Sequence, residues 1–252
     1  MCAGELFTKV DGVDAKAGGD AALLAAASVA PLVTAKHLLG DFAAGGLKAG
    51  DALVQSGADG LVGQAVVQLA AAKGVKTVNI ARGSPAGGWA KLSEHLQGLG
   101  ATAVVSEEAA DKHAFRRLLA DLAPAKLGLN GTGGAAAGAV ARALGEGATL
   151  VSYGGGAASG GRASALQLPL SLFAQKDLTA KGFSLDRALS QQPKAARDAA
   201  AREAVAAAAS GKVRLLVARE PFKDFAAVLP RALAAVSVHK GGVAERQVVL
   251  TF

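Results

Sequence analysis

From Leu47 onward, short β-branched runs alternate with Ala-, Leu- and Lys-rich stretches of helical length, which is the pattern of successive βαβ units. Strands are expected at 52–55, 76–81, 101–105, 127–130 and 149–153, and helices at 62–73, 89–99, 107–122 and 135–144. Parallel neighbours need crossover connections, so these five strands imply a doubly wound parallel sheet of Rossmann-like α/β class. Gly74 and Gly100 follow the first two helices, where a left-handed C-cap is wanted. A chain of 252 residues can close such a core without disulfides or metals. Its 51% hydrophobic and 19% charged composition excludes a disordered or collagen-like polymer.

After Tyr153 the rhythm changes. Glycines cluster through Gly161, 166–173 reads as a loop, and 178–183 reads as one more strand. A long Ala-rich helix is expected from Pro193 to Ser210, with Asp198 and Arg202 spaced i,i+4 on a solvated face. The last segment reads strand, helix, strand over 213–217, 222–236 and 247–251.

Several functional classes find no support. Cys2 is the single cysteine, so neither an intrachain disulfide nor a CxxC metal site is available. His37, His95, His113 and His239 lack any HxxxH or HExxH spacing, and no metal site is expected. The formal charge of +7 is scattered, with no basic run longer than Arg116-Arg117, and one Trp, one Tyr and eight Phe are too few for base-stacking platforms. A nucleic-acid partner is therefore not expected. The longest apolar stretch, 21–35, is mostly Ala and shorter than the ~20 residues that span a bilayer, so no membrane span is expected. No targeting segment is legible in the first residues.

The informative stretch runs Leu53-Val-Gln-Ser-Gly-Ala-Asp-Gly-Leu-Val-Gly-Gln-Ala-Val-Val-Gln-Leu-Ala70. A buried strand enters a glycine-rich turn and a helix opens at its far side. Backbone N–H groups at such a helix start can meet a diphosphate, because no side chain holds the anion away. The second strand ends in Asn79-Ile-Ala-Arg82. An acidic residue there would suit a ribose 2′-hydroxyl, whereas arginine suits a 2′-phosphate, so the cofactor called for is NADPH. The alternative is a geometric relic that no longer binds it. Leu61 replaces a small residue, and Asp59 puts a carboxylate near the phosphate position.

These residues, with others, resemble the mitochondrial 2-enoyl thioester reductases of the medium-chain dehydrogenase/reductase superfamily. The resemblance rests on Gly50-Asp51, Val54-Gln55, the 62–70 stretch, Thr77-Val-Asn79 with Arg82, Leu99-Gly-Ala101, Leu129-Asn130 with Gly133-Gly134, and Leu150-Val-Ser-Tyr-Gly-Gly155. Lys176-Asp-Leu178, Lys181-Gly-Phe183 and Gln247-Val-Val-Leu-Thr251 extend it. It implies a Rossmann domain beside a GroES-like substrate domain, with NADPH reducing trans-2-enoyl thioesters of acyl carrier protein or CoA. It assigns Gly60, Leu61, Val62 and Gly63 to the phosphate loop and Arg82 to the 2′-phosphate. Asn130 falls at the strand end near the cofactor, and Tyr153, Gly154 and Gly155 fall beside the nicotinamide. Phe183 falls in the stretch that lines the family's pocket. For Tyr153 and Asn130 the residues alone also allow a half-buried strand-end hydroxyl and a helix cap.

The resemblance also implies a division into a substrate-domain remnant over 1–35, a Rossmann domain over 36–185, and a C-terminal part over 186–252 that returns to the remnant. Leu6 to Val10 is expected as a residual strand. The family's catalytic Tyr has no counterpart, so no catalytic residue is assigned. Lys36 replaces a family aromatic, Ser84 stands at a second phosphate-binding Arg position, and Ser184 stands at a pocket Trp position. The expectation is a catalytically impaired reductase-like subunit, retained as a structural component of a larger mitochondrial assembly. The alternative is an active NADPH-dependent enoyl reductase seen as a truncated chain. Its partners would be other subunits, or a second copy paired through the Rossmann edge strand as in the family.

Overall fold

A computed structural model describes residues 20–82, 88–110, 112–154, 168–215, 217–224, 226–227 and 247–251. The βαβ rhythm resolves into β1 (Ala52–Ser56), α2 (Leu61–Ala72), β2 (Lys76–Ala81), α3 (Trp89–Gly98), β3 (Ala103–Ser106), α4 (His113–Ala120), β4 (Ala125–Asn130), α5 (Gly134–Ala143) and β5 (Leu144–Ser152). A helix α1 (Asp20–Gly40) precedes them. Then come α6 (Leu170–Lys176), β6 (Thr179–Gly182), α7 (Leu185–Ser190), α8 (Lys194–Ala209), β7 (Val217–Pro221) and β8 (Gln247–Thr251). Six strands form one parallel sheet in the order β3-β2-β1-β4-β5-β6. This is the order of a doubly wound dinucleotide fold, with its switch point between β1 and β4.

Period-two alternation divides the strands between two cores. On one face Leu53, Leu127, Leu129 and Val151 meet α1, α2 and α8, with Leu38, Val66 and Ala204 among the contacts. On the other, Val54, Val78, Ile80 and Leu150 meet Val140 of α5, Phe115 of α4 and the partly buried Leu172 and Phe173 of α6. All five residues of β1 are buried, as expected for a strand covered on both faces. Truncating Leu53 or Leu129, each fully buried, to Ala would cost about 2–5 kcal/mol.

Several expectations move. The 107–122 helix begins only at His113, because Glu107 N bonds Ala81 O and the Ser106 hydroxyl and carbonyl hold Ala109 N in a turn. The 166–173 loop is in part helix α6, whose Lys176 Nζ donates to the Arg142 and Leu144 carbonyls. The 213–217 strand starts at Val217 instead, since Val213 and Leu215 are spent on the α1/α2/α8 core. Helix α1 was not read from the sequence. It is continuous through position 35, with Pro31 inside it, and its Lys36 ion-pairs with Glu203 of α8. Strands β7 and β8 pair parallel in a separate two-stranded sheet. The 6–10 strand and most of the 222–236 helix lie outside the described residues; within the latter, Phe222–Asp224 forms a 3₁₀ turn.

Candidate dinucleotide site

The carboxyl ends of β1 and β2 carry the first half of the site. Gly57 leaves β1 at φ +69° and its carbonyl accepts Gly60 N at 3.1 Å, folding the chain into the turn before α2. Gly60 is the N-cap of α2, no side chain caps that terminus, and no acidic residue occupies its first turn. The early amides of Leu61, Val62 and Gly63 thus have the unsatisfied donors and positive dipole end that favour an anion. Two glycines here do different jobs. A Cβ on Gly63 would stand 2.5 Å from Gly57 O and 2.6 Å from Ala58 Cα, so Gly63 lets the helix press against the turn. A Cβ on Gly60 would meet only Gly57 O at 3.4 Å, so this position opens to space.

The loop is braced from beneath by amides that the sequence reading passed over. Gln55, fully buried mid-strand, donates Nε2 to Gly63 O at 3.0 Å and to Asn79 Oδ1 at 2.7 Å. Asn79 in turn donates to Thr77 O, Thr77 Oγ1 and Ala103 O, tying β1 to β2 and β3. Buried Gln64 donates to Asp59 O at 2.7 Å, and its Oε1 accepts from His95 Nε2 at 3.2 Å. Because that oxygen can only accept, Nε2 carries the proton, and burial lowers the His95 pKa below its ordinary value. The signal was present: glutamines in apolar runs at 53–56 and 62–70 need buried partners.

Arg82 follows β2 at the same crest. Its Nε lies 3.8 Å from Glu107 Oε1 beyond β3, both side chains about a quarter to a third exposed. The guanidinium thus stands at the end of the strand next to β1, in a long and partly exposed ion pair.

The second half of the crest, over β4 and β5, spends its polar groups on itself. Asn130 Oδ1 accepts Gly133 N at 2.8 Å and its Nδ2 donates to Ser152 Oγ at 3.0 Å. Ser56 Oγ accepts Gly131 N at 3.1 Å, so β1, β4 and β5 are laced together. Asn130 thus closes the turn that leads into α5, whose own N-cap, Gly133, carries no side-chain cap. Tyr153 N bonds Asn130 O, and its ring folds over Gly131, where a Cβ would be 2.7 Å from the Tyr hydroxyl. Burial and the Asp59 charge push that hydroxyl well above its ordinary pKa. Gly154 packs on Gly131, its missing Cβ 2.5 Å from the Gly131 carbonyl. Gly155 and Ser84 lie outside the described residues. Phe183 N bonds Ser152 O, and its ring packs on His37 and Phe42 at 5.6 and 5.9 Å. Ser184 caps α7 by accepting Arg187 N.

Tested against an NADPH molecule, the first half fits: uncapped amides for the diphosphate, an open Gly60, and Arg82 for the 2′-phosphate. The nicotinamide end is narrower, because Tyr153 lies over Gly131. Among the described residues no cluster of three or more His, Cys, Asp or Glu could hold a metal, and no helix is long and apolar enough to cross a membrane.

The chain is 32% identical over 192 residues to the mitochondrial enoyl-[acyl-carrier-protein] reductase of Dictyostelium discoideum, covering 76% of this chain and 52% of that protein. The Arabidopsis thaliana enzyme of the same name is 35% identical over 210 residues, covering 82% and 52%. The chain belongs to the mitochondrial 2-enoyl thioester reductase family. It spans about half the length of these curated relatives. No family model matches it. Among solved structures, the Etr1p/NADP/crotonyl-CoA complex superposes with a TM-score of 0.69 at 23% identity, over 78% of this chain and 53% of that one. The Etr1p/Etr2p heterodimer of Candida tropicalis gives 0.69 at 23%, over 81% and 58%. Both share the fold of the six-stranded sheet and its flanking helices.

Proposed function

We propose that this chain binds NADPH across the crest of its sheet and forms the nucleotide-binding half of an NADPH-dependent enoyl thioester reductase. The observation that carries this reading is the uncapped α2 terminus beside Arg82, two anion sites on adjacent strands at a dinucleotide switch point. The amides of Leu61, Val62 and Gly63 hold the diphosphate, and Arg82 exchanges its loose contact with Glu107 for the 2′-phosphate. Asn130 keeps the β4 end rigid, while Tyr153 and Gly154 wall the nicotinamide side. When bound, NADPH supplies the hydride; the acceptor is a trans-2-enoyl thioester of CoA or acyl carrier protein, and the compartment is the mitochondrion of the named relatives. The exposed strand β6 at the sheet edge is the surface for a second subunit, in keeping with the heterodimeric neighbour.

A second reading, a silent structural subunit of a larger assembly, is favoured by one observation: the Tyr153 ring and the Asp59 charge both press on the crevice. Titrating the purified chain with NADPH and following nicotinamide fluorescence separates them. Saturable binding with crotonyl-CoA-dependent NADPH oxidation supports the reductase. Binding without turnover supports the silent subunit, and no saturable signal up to millimolar cofactor removes the cofactor from both.

A further inference from the structure

Among the described residues, two buried side-chain polar atoms have no hydrogen-bond partner, Gln55 Oε1 and Thr132 Oγ1. The first sits inside the amide brace under the phosphate turn. The second stands on the β4–α5 loop, at the mouth of the switch-point crevice. Its methyl Cγ2 would lie 3.0 Å from a Cβ on Gly57, so the side chain reaches between that loop and the phosphate turn opposite. On either side of it the loop amides are held, Gly133 N by Asn130 and Gly131 N by Ser56. A hydroxyl buried without a partner is unfavourable, and one retained at the rim of a ligand crevice is explained by a partner that arrives with the ligand.

We propose that Thr132 Oγ1 is a cofactor-binding hydroxyl that hydrogen-bonds the nicotinamide-side ribose of NADPH; this rests on the NADPH reading above. The topology sets which half it meets. Arg82 beyond β2 takes the adenosine side and the α2 terminus takes the diphosphate, so a dinucleotide crossing from β2 over β1 brings its nicotinamide half to the β4 loop.

Thr132→Val keeps the β-branched shape and removes only the hydroxyl. The expected result is a split. The cofactor-free protein melts about 2–4 °C higher, because an unpaired buried hydroxyl is gone, while NADPH binds about ten-fold more weakly. Binding of 2′,5′-ADP, which lacks the nicotinamide ribose, stays unchanged. Thr132→Ser, which keeps the hydroxyl, retains NADPH affinity within about two-fold and guards against a Val variant that misfolds. Equal losses for NADPH and 2′,5′-ADP, or NADPH affinity unchanged in Thr132→Val, overturn the assignment. If the wild-type chain binds 2′,5′-ADP but not NADPH, the Thr132 contact is overturned while the adenosine half of the site survives. Binding of neither overturns the NADPH reading itself.

Discussion

The two halves of the crest are built from the same kind of strand-end loop, yet they treat their polar groups in opposite ways. Over β1 and β2 the α2 terminus has no side-chain cap, and Arg82 is paired with Glu107 at 3.8 Å. Over β4 and β5, Asn130, Ser56 and Ser152 bind one another and the loop amides, and Tyr153 closes over Gly131. Uncommitted donors cost stability and stay available to a ligand, whereas committed ones stiffen a wall. Under the proposed function, binding falls to the first half and shape to the second.

The sharpest way to break this contrast lies inside the first half. Gly63→Ala forces a methyl within 2.5–2.6 Å of backbone at Gly57 and Ala58, with no flexible side chain to give way. It should cost more than about 3 kcal/mol and take the fold with it, read as a collapse of the denaturant midpoint. Gly60→Ala meets only one oxygen at 3.4 Å, at a φ of −72° that alanine adopts readily. It should leave stability within about 1 kcal/mol and weaken NADPH about ten-fold or more. Equal stability losses in the two variants would show that the first half is a packing device like the second.

Arg82→Glu comes next. It replaces the anion-binding cation by a carboxylate beside Glu107, and should remove the NADPH over NADH preference, a change on the order of 100-fold measured by competitive titration. Glu107→Gln should act in the opposite direction by a few-fold. An unchanged cofactor ratio in Arg82→Glu would leave the first half without its 2′-phosphate contact.

What the sequence disclosed follows the same division. The glycine turn into α2, the strand pairing of β1 with β2, and the place of Arg82 just past β2 were legible because glycine spacing and a strand-helix-strand rhythm are local signals. The exact bounds Lys76–Ala81 and Gln247–Thr251 came through for that reason. Helix α1 was hidden by an Ala-rich stretch with little periodicity, and its place is decided by packing against α2 and α8. The amide brace of Gln55, Gln64, Asn79 and His95 was hidden too, since its pairs join residues up to 31 positions apart. In the second half, Asn130 was legible as a strand-end residue; the sequence also allowed a helix cap, but its Oδ1 instead holds Gly133 N in the turn before α5, and its lacing to Ser152 of β5 was a long-range fact.

That job gives a smaller, structural effect. Asn130→Ala removes an acceptor from Gly133 N and a donor from Ser152 Oγ, and should cost about 2 kcal/mol in chemical denaturation. Its influence on NADPH should be indirect, a loss no larger than the loss of stability. A disproportionate fall in affinity would move Asn130 into the binding half.

The smallest effect is confined to alkaline pH and concerns Tyr153. Its folded-state pKa is raised, first by burial and then by the Asp59 charge, so the folded chain holds the phenolic proton more tightly than the unfolded chain does. The stability this contributes is therefore fully present below the ordinary tyrosine pKa of about 10 and is lost as pH rises above it. Tyr153→Phe should leave neutral stability within about 1 kcal/mol and flatten the fall between pH ~10 and 12 by one proton. Asp59→Asn, which removes the second cause but not the first, should flatten it only in part. The same two variants then sort the roles of the crevice. If Asp59→Asn strengthens NADPH binding while Tyr153→Phe does not, the obstacle to the cofactor is charge rather than the ring, and the second half is a wall that leaves room for nicotinamide.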